Sequence, residues 1–254
     1  MDEFSEYSSI QQNNREVFHK NFASDTQCFK DALTALRNIW GRLGTERDKA
    51  GESHVGLLPF SNILVRHVIF GFEHLACYQS FLAWLTFRPG LEALLILGKF
   101  VDDPANAKIW LNRGVDVNSY RKTFEGRALE SASLPLSLEF RKVLSRLNDE
   151  FMHPNPAFAY RDANVRSDAG GMQVEIQFFD VDADVHEAHL LAYLNLIDVI
   201  VRSSQTVVDG LCGSRATGGW TGNYAAQERG RALQLAARNA VAKKVMNELG
   251  LWNL

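Results

Sequence analysis

Apolar residues recur at three- and four-residue spacing along most of this chain, the period of helices that bury one face. Phe29, Leu33, Leu36 and Trp40 mark a helix over residues 22–40. Residues 57–87 are apolar around the whole circumference, with Ile63, Phe70, Leu75, Tyr78, Leu82 and Leu85 among many. That pattern predicts one long helix, or two broken near Gly71, with neighbours on several sides. Arg88-Pro89 punctuates the run, and proline suits the first turn of a following helix over 89–101. Shorter helices are expected over 105–112 and 117–129.

Residues 134–156 (LPLSLEFRKVLSRLNDEFMHPNP) are the stretch around which the rest reads as arranged. Phe140, Val143, Leu144, Leu147 and Phe151 form an apolar stripe, flanked by a polar one of Lys142, Arg146, Asp149 and His153. Pro154 and Pro156 remove backbone donors and should end the helix at His153. Beyond it the period changes to two: Phe158-Ala159-Tyr160 and residues 172–178 alternate on either side of Asp168-Ala169-Gly170-Gly171, predicting a β-hairpin at about 157–179. A helix over 185–208 puts Leu190, Leu194, Ile197 and Val201 on one face. The last, over about 224–249, places Ala237, Val241, Val245 and Leu249 at successive i+4 steps. The fold class is therefore all-α, a helical bundle with one small hairpin.

The organisation that follows is a loose arm over 1–20 and a bundle over 21–209. A glycine-rich loop over 210–222 then leads to a C-terminal amphipathic helix over 223–254 on the same domain. Composition changes little: 46% apolar and 22% charged residues are ordinary for a globular protein. A net charge of −3 supplies no global attraction to nucleic acid, and nothing signals DNA. Three scattered cysteines, Cys28, Cys77 and Cys212, read as reduced thiols in a cytosolic protein. The acidic start MDEFSEYSSI is not a secretory signal. The uncharged runs within 57–101, interrupted by Arg66, Glu73, Arg88 and Glu92, fall short of the ~20 residues a bilayer needs, so this region is expected to be core and not membrane.

Two sets of residues carry candidate chemistry. Arg88 and Glu92, one turn apart on a helix with almost no other polar face, should be largely buried and therefore paired. They read as a structural ion pair or as part of the lining of a polar pocket. His153 reads as a cap at a helix C-terminus, where a cation is favoured, or as a proton donor and acceptor near neutrality. Arg146 on the same face suits a phosphate. Asp149 or Glu150 would orient the imidazole, or else pair with Arg146 along the helix. His186 and His189 lack the spacing of a zinc motif and read as a solvated helix start. Arg229, Arg231, Arg238, Lys243 and Lys244 make the tail basic, which reads as a solvated face or a contact for nucleic acid or a partner. No metal or cofactor motif stands out.

RPGLEALLILGKFVDDPANAKIWLNR (88–113) and SLEFRKVLSRLNDEFMHPNP (137–156) resemble two blocks of bacterial families of unknown function that share R-x-x-x-E and a helix-terminal His-Pro. Those families are similar in turn to the HEPN superfamily of helical bundles, whose active members carry R-x(4–6)-H near a helix end. Arg146 and His153, with six residues between them, match that spacing. The resemblance implies a metal-independent endoribonuclease of toxin or phage-defence type, without cofactor, acting on RNA as a homodimer. His153 would be its general acid or base, and Arg146 would stabilise the transition state. Leu147 departs from the pattern, which has a polar residue directly after the arginine; Asn148 comes one step late. The alternatives are a non-enzymatic interaction or scaffold bundle, and a bundle that binds a small ligand between helices.

Overall fold

The computed structural model describes residues 2–45, 57–149, 163–168, 171–176, 179–213 and 219–249. Its first helices are α1 (Glu3–Asn21), α2 (Ala23–Thr45), α3 (Leu57–Ala76) and α4 (Ser80–Asp102). Then come α5 (Ala105–Leu111), α6 (Val117–Phe124), a 3-10 turn (Gly126–Leu129) and α7 (Ser137–Leu147). A short antiparallel pair, β1 (Ala163–Asp168) and β2 (Gly171–Ile176), sets Val165 opposite Val174. Phe158–Tyr160 lies outside the described residues. The chain continues with α8 (Ala183–Cys212), α9 (Tyr224–Arg238) and α10 (Ala240–Glu248). The protein is an all-α helical bundle.

Its centre is α8, not the helix of residues 134–156. α8 packs on α2, α3, α4, α9 and α10, and its residues from Ala188 to Val201 are buried on every side. Asp182 caps its start by accepting from the amides of Asp184 and Val185, and Gly213 ends it at φ 64°. α3 and α4 form the closest helix pair, and α7 lies against α4.

The break in the long apolar run falls at Tyr78, not Gly71, and α4 runs straight through Arg88-Pro89. Gly71 instead admits a neighbour: a β-carbon there would stand 2.4 Å from the Tyr193 hydroxyl, which donates to the Val68 carbonyl at 2.6 Å. At Tyr78 the chain turns left-handed (φ 58°), and the Gln79 amide closes back on the His74 carbonyl at 3.0 Å. Asp180 holds this turn from outside, its amide donating to the Tyr78 carbonyl at 2.6 Å. Inside α4, Pro89 withholds an amide from the preceding turn, at a typical cost of ~3 kcal/mol. His67 Nδ1 donates to the Thr86 carbonyl in that turn at 2.5 Å. By length and composition α4 is apolar enough to cross a membrane, but here it is a core helix whose Trp84, Phe87, Leu91, Leu94 and Leu97 are fully buried.

Residues 3–21 are helical rather than a loose arm. Asp2 caps α1 by accepting from the Ser5 amide at 2.9 Å, and Phe18 inserts into the core. Tyr7, Gln11 and Asn14 then bond to Gln79 and the Cys77 carbonyl, which ties α1 to the α3–α4 turn. α2 likewise continues through Gly41 and Gly44 to Thr45. The C-terminal helix is two helices, because Asn239 leaves the helical region and caps α10 by accepting from Val241 and Ala242. The kink rotates the buried face, so Ala232, Leu235, Ala242, Val245, Met246 and Leu249 are inside while Ala237 and Val241 are exposed.

Candidate functional site

Of the residues singled out from the sequence, those that are described take different partners. Arg146 is exposed on α7, and its Nη1 donates to the carbonyls of Asn247 and Glu248, capping the C-terminal end of α10. Asn148, two residues further on, accepts instead from Arg88 Nε on α4. Asp149 is exposed, and His153 lies outside the described residues. Arg88 pairs with Glu92 at 3.3 Å, but the pair is half-buried, with side chains 24% and 35% exposed. Phe81, Leu85, Arg88, Glu92 and Lys99 make a narrow, partly exposed stripe down α4, so the pair, expected to be largely buried, reaches water.

His186 and His189, expected on a solvated helix start, are both buried. His186 Nδ1 donates to Asp180 Oδ2 at 2.7 Å, and its ring stacks on Tyr78 with centroids 4.2 Å apart. The same carboxylate oxygen accepts from the Ser80 amide at 3.1 Å and the Ser80 hydroxyl at 2.6 Å. Burial pushes the Asp180 carboxyl up, but the His186 bond and charge, with the Ser80 hydroxyl, outweigh it and hold it below the usual range. Ser80, His186 and Asp180 are the residue types of a hydrolase triad in the wrong order. Serine and imidazole both bond to the carboxylate, and His186 Nε2 has no partner among the described residues. The group is a structural lock; Trp84 Nε1 donating to His189 Nδ1 at 2.9 Å extends it along α8.

The concave site lies on the other side of α8. Ser24, Gln27, Cys28, Asp31 and Ala35 follow one another at helical spacing on one face of α2. Facing them are residues 219–224 and Gln227, and between the two walls is an open cleft of about 490 Å³. Trp220 forms the far wall and is fixed at two points. Its amide donates to Gln205 Oε1 at 2.9 Å and its Nε1 to Asp198 Oδ1 at 2.7 Å. Gly222 leaves room for the ring as it is placed, since a β-carbon there would stand 2.4 Å from the indole. Asn223 then caps α9 by accepting from the Ala226 amide at 3.1 Å.

Carboxylates stand behind this cleft. Asp198 is 1% exposed, and its other oxygen meets Arg202 at 2.9 Å. Burial raises the Asp198 carboxyl above the usual range despite Trp220 and Arg202. Asp25 accepts from the Tyr224 hydroxyl and, at 3.0 Å, from Arg231, which also meets Glu187 and Glu228. Arg231 and Arg238 of the basic tail are thus held in ion pairs with α2, α8 and α9, the latter with Asp184. Burial, then the charges of Asp198, Asp25, Asp31 and Glu228, push the Cys28 thiol up to about 11. At neutral pH it is a protonated thiol and a poor nucleophile.

Among the described residues, the cleft's side chains include one carboxylate, Asp31, and no histidine, lysine or arginine. Its described walls offer binding chemistry: an aromatic wall, a carboxylate and several hydrogen-bonding groups. Among the described residues, no three His, Cys, Asp or Glu side chains are placed to hold a metal. Fold and site together define an all-α bundle with an open, acidic cleft. Comparison with protein-family models, curated proteins and solved structures finds no match to this chain.

Sequence reasoning passed over Trp220, Asp31 and Asp198. Asp198 carried a readable signal, being the lone charge in the apolar run AHLLAYLNLIDVIV (188–201), an anomaly of the same kind as Arg88 and Glu92. Trp220 sits in a segment read only as a glycine-rich loop, and the helix over residues 22–40 is read from its apolar positions alone.

Proposed function

We propose that the protein is a helical bundle that binds a small ligand in the cleft between α2 and residues 219–224 without transforming it. The observation that carries this is the fixing of Trp220 by the buried Asp198. An ionised carboxylate in the core costs stability, and a plain packing surface has no use for one. Here it orients an aromatic ring opposite Ser24, Gln27 and Asp31, where a packing interface would carry aliphatic side chains. Arg88, Glu92 and Arg146 then serve as helix-to-helix fastenings. A cytosolic setting accords with three cysteines held outside any disulfide.

The test is a small-molecule screen read by the Trp220 indole N–H resonance, assigned with Trp220→Phe. Binders should shift that resonance, and Gln27→Phe, which fills the cleft from an exposed position, should abolish the shift. A screen whose hits move other resonances and ignore Gln27→Phe would remove the proposal.

The competing reading is the HEPN-like ribonuclease drawn from the sequence, supported by the spacing of Arg146 and His153 and the exposure of Arg146. For that chemistry Arg146 must leave the carbonyls of Asn247 and Glu248 to reach a phosphate. Incubating metal-free protein with mixed RNA, beside Arg146→Ala and His153→Ala, decides it. Cleavage lost in both variants would support the nuclease; no cleavage by the wild type would exclude it.

A further inference from the structure

We infer that the cleft takes a small organic cation, an ammonium or guanidinium compound, with Asp31 as its counter-ion and the Trp220 indole as its aromatic wall. The inference rests on the binding-cleft reading and adds the chemical class of the ligand.

Three observations carry it. The lining offers a single formal charge, the Asp31 carboxylate, whose only bond among the described residues is from Gln27 Nε2 at 2.8 Å. An anion entering the cleft would meet no cation among the described residues of its walls. Behind the walls stand Asp198 and Asp25, and the arginines nearest them are already committed. Arg202 holds Asp198, and Arg231 divides itself among Asp25, Glu187 and Glu228. Two guanidinium groups, Arg231 and Arg238, facing the four carboxylates of Asp25, Asp184, Glu187 and Glu228 leave the region negative, and a low-dielectric wall carries that field into the cleft.

The second group is the indole. Tryptophan presents the most electron-rich face among side chains to a cation, and a desolvated contact strengthens the attraction. Trp220 is held by bonds from its amide and its Nε1, both outside the ring face. A carboxylate and a fixed indole on opposite walls make a site for a positive charge on an organic frame. A bare metal ion would find one carboxylate and neutral amides, too few oxygen ligands to replace its water. Nucleic acid and other phosphates are disfavoured by the same charge balance.

The experiment compares matched probes on the full chain: 2-phenylethylamine and agmatine as cations, 2-phenylethanol as neutral isostere, phenylacetate as anion. The Trp220 indole resonance is followed in each titration. The amine should bind about tenfold more tightly than the alcohol, and phenylacetate should bind least. Asp31→Asn should remove the difference between amine and alcohol. Equal binding of amine and alcohol, or an amine preference that survives Asp31→Asn, overturns the cation assignment while the cleft stands as a binding site. If no probe moves the resonance at millimolar concentration, the cleft itself fails as a binding site and the cation goes with it.

Discussion

Two carboxylates beside α8, one buried and one largely so, are driven in opposite directions. Asp180, ahead of the helix, is held low; Asp198, inside it, is pushed high. The difference lies in the donors each one has. Asp180 Oδ2 collects an amide, a hydroxyl and an imidazole, enough to overcome burial. Asp198 has an indole N–H, the Tyr224 backbone amide and an arginine that is itself 43% exposed, and together they do not outweigh its burial. Asp180 therefore locks the α3–α4 turn onto α8, whereas Asp198 is a strained support for a ring at a cleft. One region spends its polar groups on stability and the other on placing an aromatic wall.

The largest effect should come from breaking the lock. Asp180→Ala strips Ser80 and His186 of their common acceptor, in a place where no replacement is at hand. It should cost on the order of 3–5 kcal/mol in urea denaturation, the range for an abandoned partner in a buried pair. Asp198→Ala should cost less, about 1 kcal/mol, because Trp220 and Arg202 lie close enough to water to recover their bonds there. Equal losses would erase the distinction between the two regions.

Glycine substitutions sharpen the same contrast at smaller scale. Gly71→Ala drives a methyl group into the Tyr193 hydroxyl inside the core, so overpacking should cost about 1–3 kcal/mol. Gly222→Ala meets a ring with open cleft on one side. The indole can swing, so stability should change by about 0.5 kcal/mol or less, while the Trp220 resonance moves and ligand binding weakens. Denaturation and the indole spectrum of each variant check both statements.

The same contrast shows which parts of the molecule were legible in sequence. α2, the α3–α4 run and α8 announce themselves because their apolar periodicity is long and their burial deep. α1 does not, since Phe18 is its one fully buried side chain and its other anchors are polar bonds to Gln79 and Cys77. The break at Tyr78 was misplaced to Gly71 because a left-handed tyrosine is held by Asp180, about a hundred positions later in the chain. His186 was read as solvated for the same reason: its partners are distant in sequence. Arg146 and Asn148 share a helix end, yet one bonds to α10 and the other to α4. Spacing along a helix gives a common face only to within its neighbours' geometry. Periodicity reports burial, and carries no information about which distant groups supply the bonds.

The smallest effect, and the finest test, is the dependence of stability on pH. Asp198 has a folded-state value above the unfolded one, which lies near 4. Between those two values the folded protein binds more protons than the unfolded chain, so stability falls as pH rises through that window. Mild acidification from neutrality should therefore raise the urea midpoint slightly until the unfolded value is reached. Asp180 has the opposite sign: its contribution is complete above the unfolded value and is lost as pH falls through its depressed folded value. Asp198→Asn, which keeps an acceptor for the indole, should flatten the mildly acidic window and leave the strongly acidic one intact. Asp180→Asn should do the reverse, at a lower overall stability. If both variants altered the same window, the two carboxylates would not be governed by their different donors, and the indole would owe its position to packing alone.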